Sequence, residues 1–305
     1  MKCLLVYSPF SKKGKFNSFI QEAKEILSEK YEAIDFIKTK KEGHATEIAK
    51  LSCGVYDLVL VAGGDGLFNE VISGIAEQEN KPKIAFLPSG TVNDSARSLK
   101  VPFSFNKALK VALNGVPFKT DIMKFNNGYA FYVIVLGYCA KSIYTTSSLA
   151  KRLFGWFAYF FKGIKSFFVP QRMHLKIKTD NDEMLDDIFS FVLLYNSRSV
   201  AGFGINKDAL LDDGYIDVVL IKDHGRGLLN FFKNLFKVVK IFVLGAKKLK
   251  NNKHTIVRKV KSIKIENVDH SVYNVDGSYG GDGDIDLNVL KQAVDILVPN
   301  KNIKR

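Results

Sequence analysis

Over the first 120 residues, short apolar runs take turns with segments of helical period, and this alternation limits the fold more than any other feature. KCLLVYSP reads as a strand. Residues 16–31 then carry Phe19, Ile20, Ala23, Ile26 and Leu27 at helical spacing. AIDFIKT is a second strand and HATEIAKLSC a second helix. YDLVLVAGGDG is an apolar strand entering a glycine turn, LFNEVISGIAEQ a helix, KIAFLPSG a strand, and NDSARSL opens another helix. Strands alternating with helices predict a parallel sheet covered by helices on both faces. Ligands of such sheets lie beyond the carboxyl ends of the strands, where both glycine turns fall.

After about Thr120 the texture changes. YAFYVIVLGY, HLKIKT, DIFSFVLLYN, YIDVVLIKD, SIKIEN, SVYNVDG and VDILVP are short β-like runs separated by Gly, Asn and Asp. The expected organisation is an α/β domain over 1–120 and a mostly antiparallel β domain over 121–294, with the tail from about 295 to 305 packing back on the first. Two basic, aromatic helical segments near 149–169 and 227–250 interrupt the second domain. With 305 residues, 47% of them hydrophobic, the chain has enough apolar material for two cores.

The formal charge of +14 draws anionic partners, whether nucleotide, nucleic acid or an anionic membrane face. Cys3, Cys53 and Cys139 form no CxxC pair, and the histidines form no HExxH, so a zinc centre and a disulfide framework are not expected. A reduced cytoplasmic setting fits. The first apolar run is too short for a signal peptide, and the stretch from Gly227 to Ala246 carries Lys233, Lys237 and Lys240, which are costly at a bilayer centre. No transmembrane helix is expected.

Three motifs carry chemistry. VLVAGGDGLFNEV runs a strand into Gly63, Gly64 and Gly66 and then into a helix. Glycines without Cβ let backbone N–H groups approach a phosphate, and the helix start adds partial positive charge. Asp65 is a candidate to hold Mg²⁺ through waters. A plain connecting turn remains open. LPSGTVNDSARSL repeats the logic: Thr91 and Asn93 can bond phosphate or ribose oxygens, and Asp94 can join Asp65, although Asn and Asp also favour ordinary helix caps. YNVDGSYGG sets Asp276 after a strand. A kinase of alcohols needs a carboxylate to take the hydroxyl proton, while Asp-Gly is equally a hairpin turn.

In this order the three motifs resemble the diacylglycerol kinase catalytic family, whose pattern runs GGDGT..E, P.GT.ND..R and VDGE. GHATEIAK, TDIMKFNNGYAF, FAYFFKGIK, SVAGFG and LLDDGYIDVVLI are similar to segments of its bacterial soluble members, over nearly the whole chain. The resemblance implies an ATP- and Mg²⁺-dependent kinase that phosphorylates a diacylglycerol-like lipid to phosphatidic acid, with the active site in a cleft between the domains. It implies a nucleotide site of Gly63, Gly64, Asp65, Gly66, Glu70, Ser89, Gly90, Thr91, Asn93 and Asp94, with Asp65 and Asp94 organising Mg²⁺ and Asp276 as the general base. It also implies a structural Mg²⁺ on the Asp213 side chain and the carbonyls of Leu210 and Tyr215; read alone, Asp212-Asp213-Gly214 is a β-turn. Three positions depart from the pattern. Leu67 replaces a threonine, Ser8-Pro9 replaces Asn-Pro, and Ser278 replaces the glutamate beside the catalytic aspartate. Leu67 and Ser278 motivate the alternative of a member that binds nucleotide and membrane with little catalysis; another lipid alcohol is the other alternative.

SLAKRLFGWFAYFFKGIKSFFV and GLLNFFKNLFKVVKIFVLGAKKLK point to the acceptor. In the second, Lys233, Lys237 and Lys240 form one stripe on an otherwise apolar helix. Such helices lie in membrane interfaces, so the expected partners are ATP, a lipid alcohol and the anionic inner face of the membrane, bound peripherally. A solvated lysine face on a core helix is the plainer alternative. No nucleic acid is expected, and a homodimer is allowed.

Overall fold

The computed structural model describes residues 1–8, 16–137 and 172–300. Pro9, Cys139, the aromatic segment near 149–169 and the last five residues lie outside them. The chain divides into two compact units, Met1–Ile122 with the chain from Gln292 onward, and Met123–Lys291.

The first unit runs β1 (Lys2–Tyr7), α1 (Phe16–Ser28), β2 (Ala33–Lys38), α2 (His44–Ser52), β3 (Leu58–Gly63), α3 (Asp65–Ile75), β4 (Lys83–Pro88), α4 (Asp94–Leu99) and α5 (Phe105–Asn114). Its strands lie in the order β2-β1-β3-β4, all parallel. Every residue of β3 is buried, as a strand covered on both faces must be, and this is why its sequence is an unbroken apolar run. Strand order reverses between β1 and β3, the usual place for a ligand crevice, so the turn after β3 lies at that switch point and the turn after β4 is its neighbour. Helix α5 has no counterpart in the sequence reading; its buried face of Ala108, Leu109, Val111, Ala112 and Leu113 follows closely on α4.

The second unit adds β6 (Gly128–Ala130), β7 (Val133–Gly137), β8 (Met173–Thr179), β9 (Met184–Tyr195), β10 (Ile216–Lys222), α6 (Leu228–Leu244), β11 (Thr255–Val260), β12 (Ser262–Asn267), β13 (Tyr273–Val275) and β14 (Ser278–Gly281). Its strand pairings among the described residues are antiparallel. The long strand β9 is central, pairing with β7, β8 and β10. Ile134, Leu136, Leu175, Phe189, Val192 and Leu194 are fully buried in its core. YAFYVIVLGY, read as one strand, is broken into β6 and β7 at Phe131-Tyr132. The chain passes between units within β5 (Val116–Phe125) and within β15 (Ile285–Val298), whose Ile296 aligns with Ile84 of β4. Among the described residues no helix is long and apolar enough to cross a membrane.

Candidate active site

In the first unit the two glycine turns are in contact. A Cβ on Gly90 would lie 2.6 Å from the Gly64 Cα and 2.7 Å from the Asn93 Oδ1; one on Gly64 would lie 3.2 Å from the Gly90 Cα. These glycines are therefore needed for the close approach of two backbones, and neither has a positive φ. Gly63 is crowded by Leu67, whose Cδ2 would be 2.5 Å from its Cβ. Gly66 alone of this turn faces open space, with nothing within 4 Å of the Cβ position.

The turn after β4 closes on itself. Asn93, at φ 54, accepts the Gly90 N–H at 2.9 Å and donates its side-chain amide to the Gly90 carbonyl at 2.9 Å. Thr91 is left exposed at the tip. The Ser89 hydroxyl is buried and has no hydrogen-bond partner, an orphan donor beside the loop.

Asp65 ties the two turns together. It sits in the first turn of α3, two residues earlier than the helix read from sequence, and its carboxylate reaches the start of α4. Oδ2 accepts the Asp94 N–H at 3.1 Å and Oδ1 the Ser95 N–H at 2.9 Å. Asp94 itself is 1% exposed. Burial pushes the Asp65 carboxyl above the usual range, outweighing the N–H groups of Ser95, Asp94 and Asn93, which pull the other way. A buried carboxylate so raised is one that a neighbouring cation would favour in its charged form. One or two carboxylates plus substrate phosphates is the donor set Mg²⁺ commonly takes, so Asp65 and Asp94 fit that ion.

Glu70, expected at the nucleotide, reaches the start of α2. Its Oε2 accepts the Ala45 N–H at 3.1 Å, and its carbonyl accepts the Thr46 hydroxyl at 3.0 Å. Burial raises its carboxyl, and the Gly43 and Ala45 N–H groups oppose this. Gly74 lets the same two helices close, since its Cβ would lie 2.4 Å from the Thr46 carbonyl oxygen.

In the second unit Asp276 and Gly277 form the two-residue turn between β13 and β14, at φ 48 and 87. Left-handed values at both positions are those of the tight hairpin turn that favours Asp-Gly. The Asp276 carboxylate does more than turn. Oδ2 accepts the Phe131 N–H at 2.6 Å, and Oδ1 accepts those of Tyr132 and Val133 at 3.0 and 2.9 Å. These donors enter β7, so the break between β6 and β7 is where three N–H groups turn to one carboxylate. Asp276 is 4% exposed. Beside it the buried Asn274 accepts the Gly277 N–H at 3.0 Å and leaves its side-chain amide donor unpartnered. The sequence reading passes over Asn274, because an Asn in a short strand carries no spacing signal. Ser278 is exposed. Asp284 is engaged elsewhere, accepting the Asn267 N–H at 2.8 Å.

The Asp213 loop is arranged differently from a cation site. Asp213 Oδ1 accepts the Tyr215 N–H at 3.1 Å, and Oδ2 is paired with the Lys259 ammonium. Lys259 and Lys261 both stand over the Tyr215 ring, at 5.9 and 5.2 Å. Leu210 is half exposed. Among the described residues no three His, Cys, Asp or Glu side chains group as metal ligands. A divalent ion on Asp213 would have to displace the Lys259 ammonium, so the residues as paired do not fit it.

Residues 2–125 match the family described as Diacylglycerol kinase catalytic domain. A diacylglycerol kinase of Staphylococcus epidermidis is 35% identical over 303 residues, covering 97% of this chain and 91% of that one. One from Staphylococcus carnosus is 34% identical over 304 residues, covering 98% and 95%. A crystal structure of a diacylglycerol kinase from Bacillus anthracis str. Sterne has a TM-score of 0.76 at 21% identity, covering 99% of this chain and 98% of that one, and shows the same fold. Its α/β unit, its antiparallel unit and identity of this extent over nearly its whole length agree: the chain belongs to the diacylglycerol kinase family of lipid kinases.

Proposed function

We propose that this chain transfers the γ-phosphoryl group of ATP to the hydroxyl of a diacylglycerol-like lipid, giving phosphatidic acid and ADP. The observation that carries the reading is the interlock of the two glycine turns at neighbouring carboxyl strand ends, with Asp65 bonded to the start of α4. Open space at Gly66, the orphan Ser89 hydroxyl and the exposed Thr91 offer the nucleotide phosphates room and donors. Asp65 and Asp94 would hold Mg²⁺, which when bound neutralises charge on the phosphate oxygens.

Asp276 accepts the proton of the lipid hydroxyl. The oxygen then bonds to the γ-phosphorus, and the bond from that phosphorus to the bridging oxygen breaks, leaving ADP. Three N–H donors hold this carboxylate in one orientation, so its aim does not depend on a glutamate at Ser278. That favours a working enzyme over a nucleotide-binding relic. With a membrane lipid as acceptor, the reaction would lie at the cytoplasmic membrane surface, with the chain bound peripherally.

The test is transfer from labelled ATP with Mg²⁺ to a lipid panel in mixed micelles, with Asp276→Asn as the blank and nucleotide binding measured on both. Labelled phosphatidic acid from the native chain alone is expected. ATP binding without transfer to any lipid would overturn the reading, and transfer only to another lipid alcohol would correct the acceptor.

A further inference from the structure

Helix α6 is turned in a way its sequence does not reveal. Its inward face buries Asn234, Val238 and Ile241. Asn234 fixes that rotation: its amide donates to Asp223 Oδ1 at 2.6 Å, and its Oδ1 accepts the His224 N–H at 3.2 Å. A buried amide held at both ends does not allow the helix to roll. At 100° per residue, the face roughly 160° away carries Leu228, Phe232, Phe236, Val239 and Val243. They are 73%, 48%, 68%, 40% and 69% exposed. A surface helix ordinarily turns polar residues outward opposite its core face. Here the outward face is the apolar one, and Lys240, Lys233 and Lys237 run along one flank of it. Burial among apolar groups lowers the Lys237 ammonium from its usual value.

We propose that this outward stripe is a membrane-docking surface, inserted into the acyl boundary of an anionic leaflet with the lysine flank on the lipid headgroups. Charge selects this occupant over a second copy of the chain. Helix α6 has three lysines and no Asp or Glu. Two such stripes packed face to face would bring lysines together with no carboxylate from either helix between them, which is unfavourable at an interface. Anionic headgroups supply the missing countercharge, each nearby lysine strengthening attraction to the surface. The inference deepens the lipid-kinase reading by naming the surface that meets the acceptor's bilayer, and its test does not depend on turnover.

The experiment is flotation of the full chain with large unilamellar vesicles of phosphatidylglycerol and phosphatidylcholine, against vesicles of phosphatidylcholine alone. The native chain is expected to float with the anionic vesicles. Phe232→Ser combined with Phe236→Ser should weaken binding roughly tenfold to a hundredfold, because two large apolar groups no longer enter the interface. Lys233→Gln with Lys240→Gln should weaken it about tenfold and flatten its dependence on salt. Thermal melts check that each variant folds; Phe236→Ser alone is the reserve, and it should show the same loss to a lesser degree. Serine variants that float like the native chain would overturn the proposal, as would a native chain that ignores anionic vesicles. So would serine variants that abolish self-association in sedimentation yet leave vesicle binding intact, since the stripe would then be a subunit contact. A native chain that floats but phosphorylates no lipid would overturn the proposed activity and leave the docking surface standing.

Discussion

Asp65 in the first unit and Asp276 in the second both present a carboxylate to backbone N–H groups, yet the two draw their donors differently. Asp276 gathers three N–H donors, all from the entry to one strand. Asp65 gathers donors from Asp94 and Ser95, and its burial still outweighs them, so its carboxyl is raised. The first arrangement holds structure together. The second leaves a charge that the fold alone does not satisfy, the condition expected where a cation or substrate completes the site. The contrast teaches that backbone donors can aim a carboxylate in a glycine turn, as at Asp276, while burial can leave one awaiting a cation, as at Asp65.

The largest effect should come from removing the anchor. Asp276→Ala leaves three buried N–H groups without their acceptor, and a loss of about 3–5 kcal/mol is expected from urea unfolding, with no remaining turnover. An unchanged midpoint would remove the structural half of the comparison. Next, Gly90→Ala forces a Cβ against the Gly64 backbone. It should cost about 1–3 kcal/mol and weaken ATP binding about tenfold, as read by calorimetry. Full ATP affinity in that variant would mean that the contact of the two turns is not what shapes the nucleotide site.

Asp65→Asn replaces one of the two N–H acceptors by a donor and should cost about 1–3 kcal/mol, while Mg²⁺-dependent turnover is lost. The raised carboxyl sets the sign of its pH dependence. On going up from the unfolded carboxylate value near pH 4, the unfolded chain releases this proton first, so native stability falls until the folded value is passed. The Asn variant lacks that contribution, so the native melting temperature should fall across this window more than the variant's does. Added Mg²⁺ should reduce the native chain's fall. The smallest effect is expected for Ser278→Glu. With Asp276 already held by its backbone donors, kcat should change less than tenfold; a gain of a thousandfold would show that the base depends on its neighbour after all.

The first unit was the more legible. In a parallel sheet each apolar run and the helix after it are local events, and Gly63, Gly64, Asp65 and Asp94 declared themselves by their place at strand ends. Helix α5 is short and follows closely on α4, and β5 and β11 are weak signals because charged residues break their alternation. The second unit rests on longer reach. The Asp276-Gly277 turn was readable from two residues, but the donors that fix its carboxylate lie 143–145 positions away. Glu70 was read with the nucleotide because it shares a motif with Asp65. Its partner at α2, 25 positions distant, was out of sight. Lys259, the partner of Asp213, is 46 positions away and equally out of sight.

By itself the sequence determined the two textures, the glycine turns at adjacent strand ends, the Asp-Gly hairpin and the lysine stripe of α6, because each is a matter of period or of the conformations a few neighbouring residues permit. Only the tertiary structure decided that Gly64 and Gly90 touch, that Asp65 reaches the start of α4, that Asp276 is held by the entry to β7, and that α6 turns Phe232 and Phe236 outward. Those outcomes depend on which backbone donors a side chain meets after distant segments have packed, and no local pattern encodes that meeting.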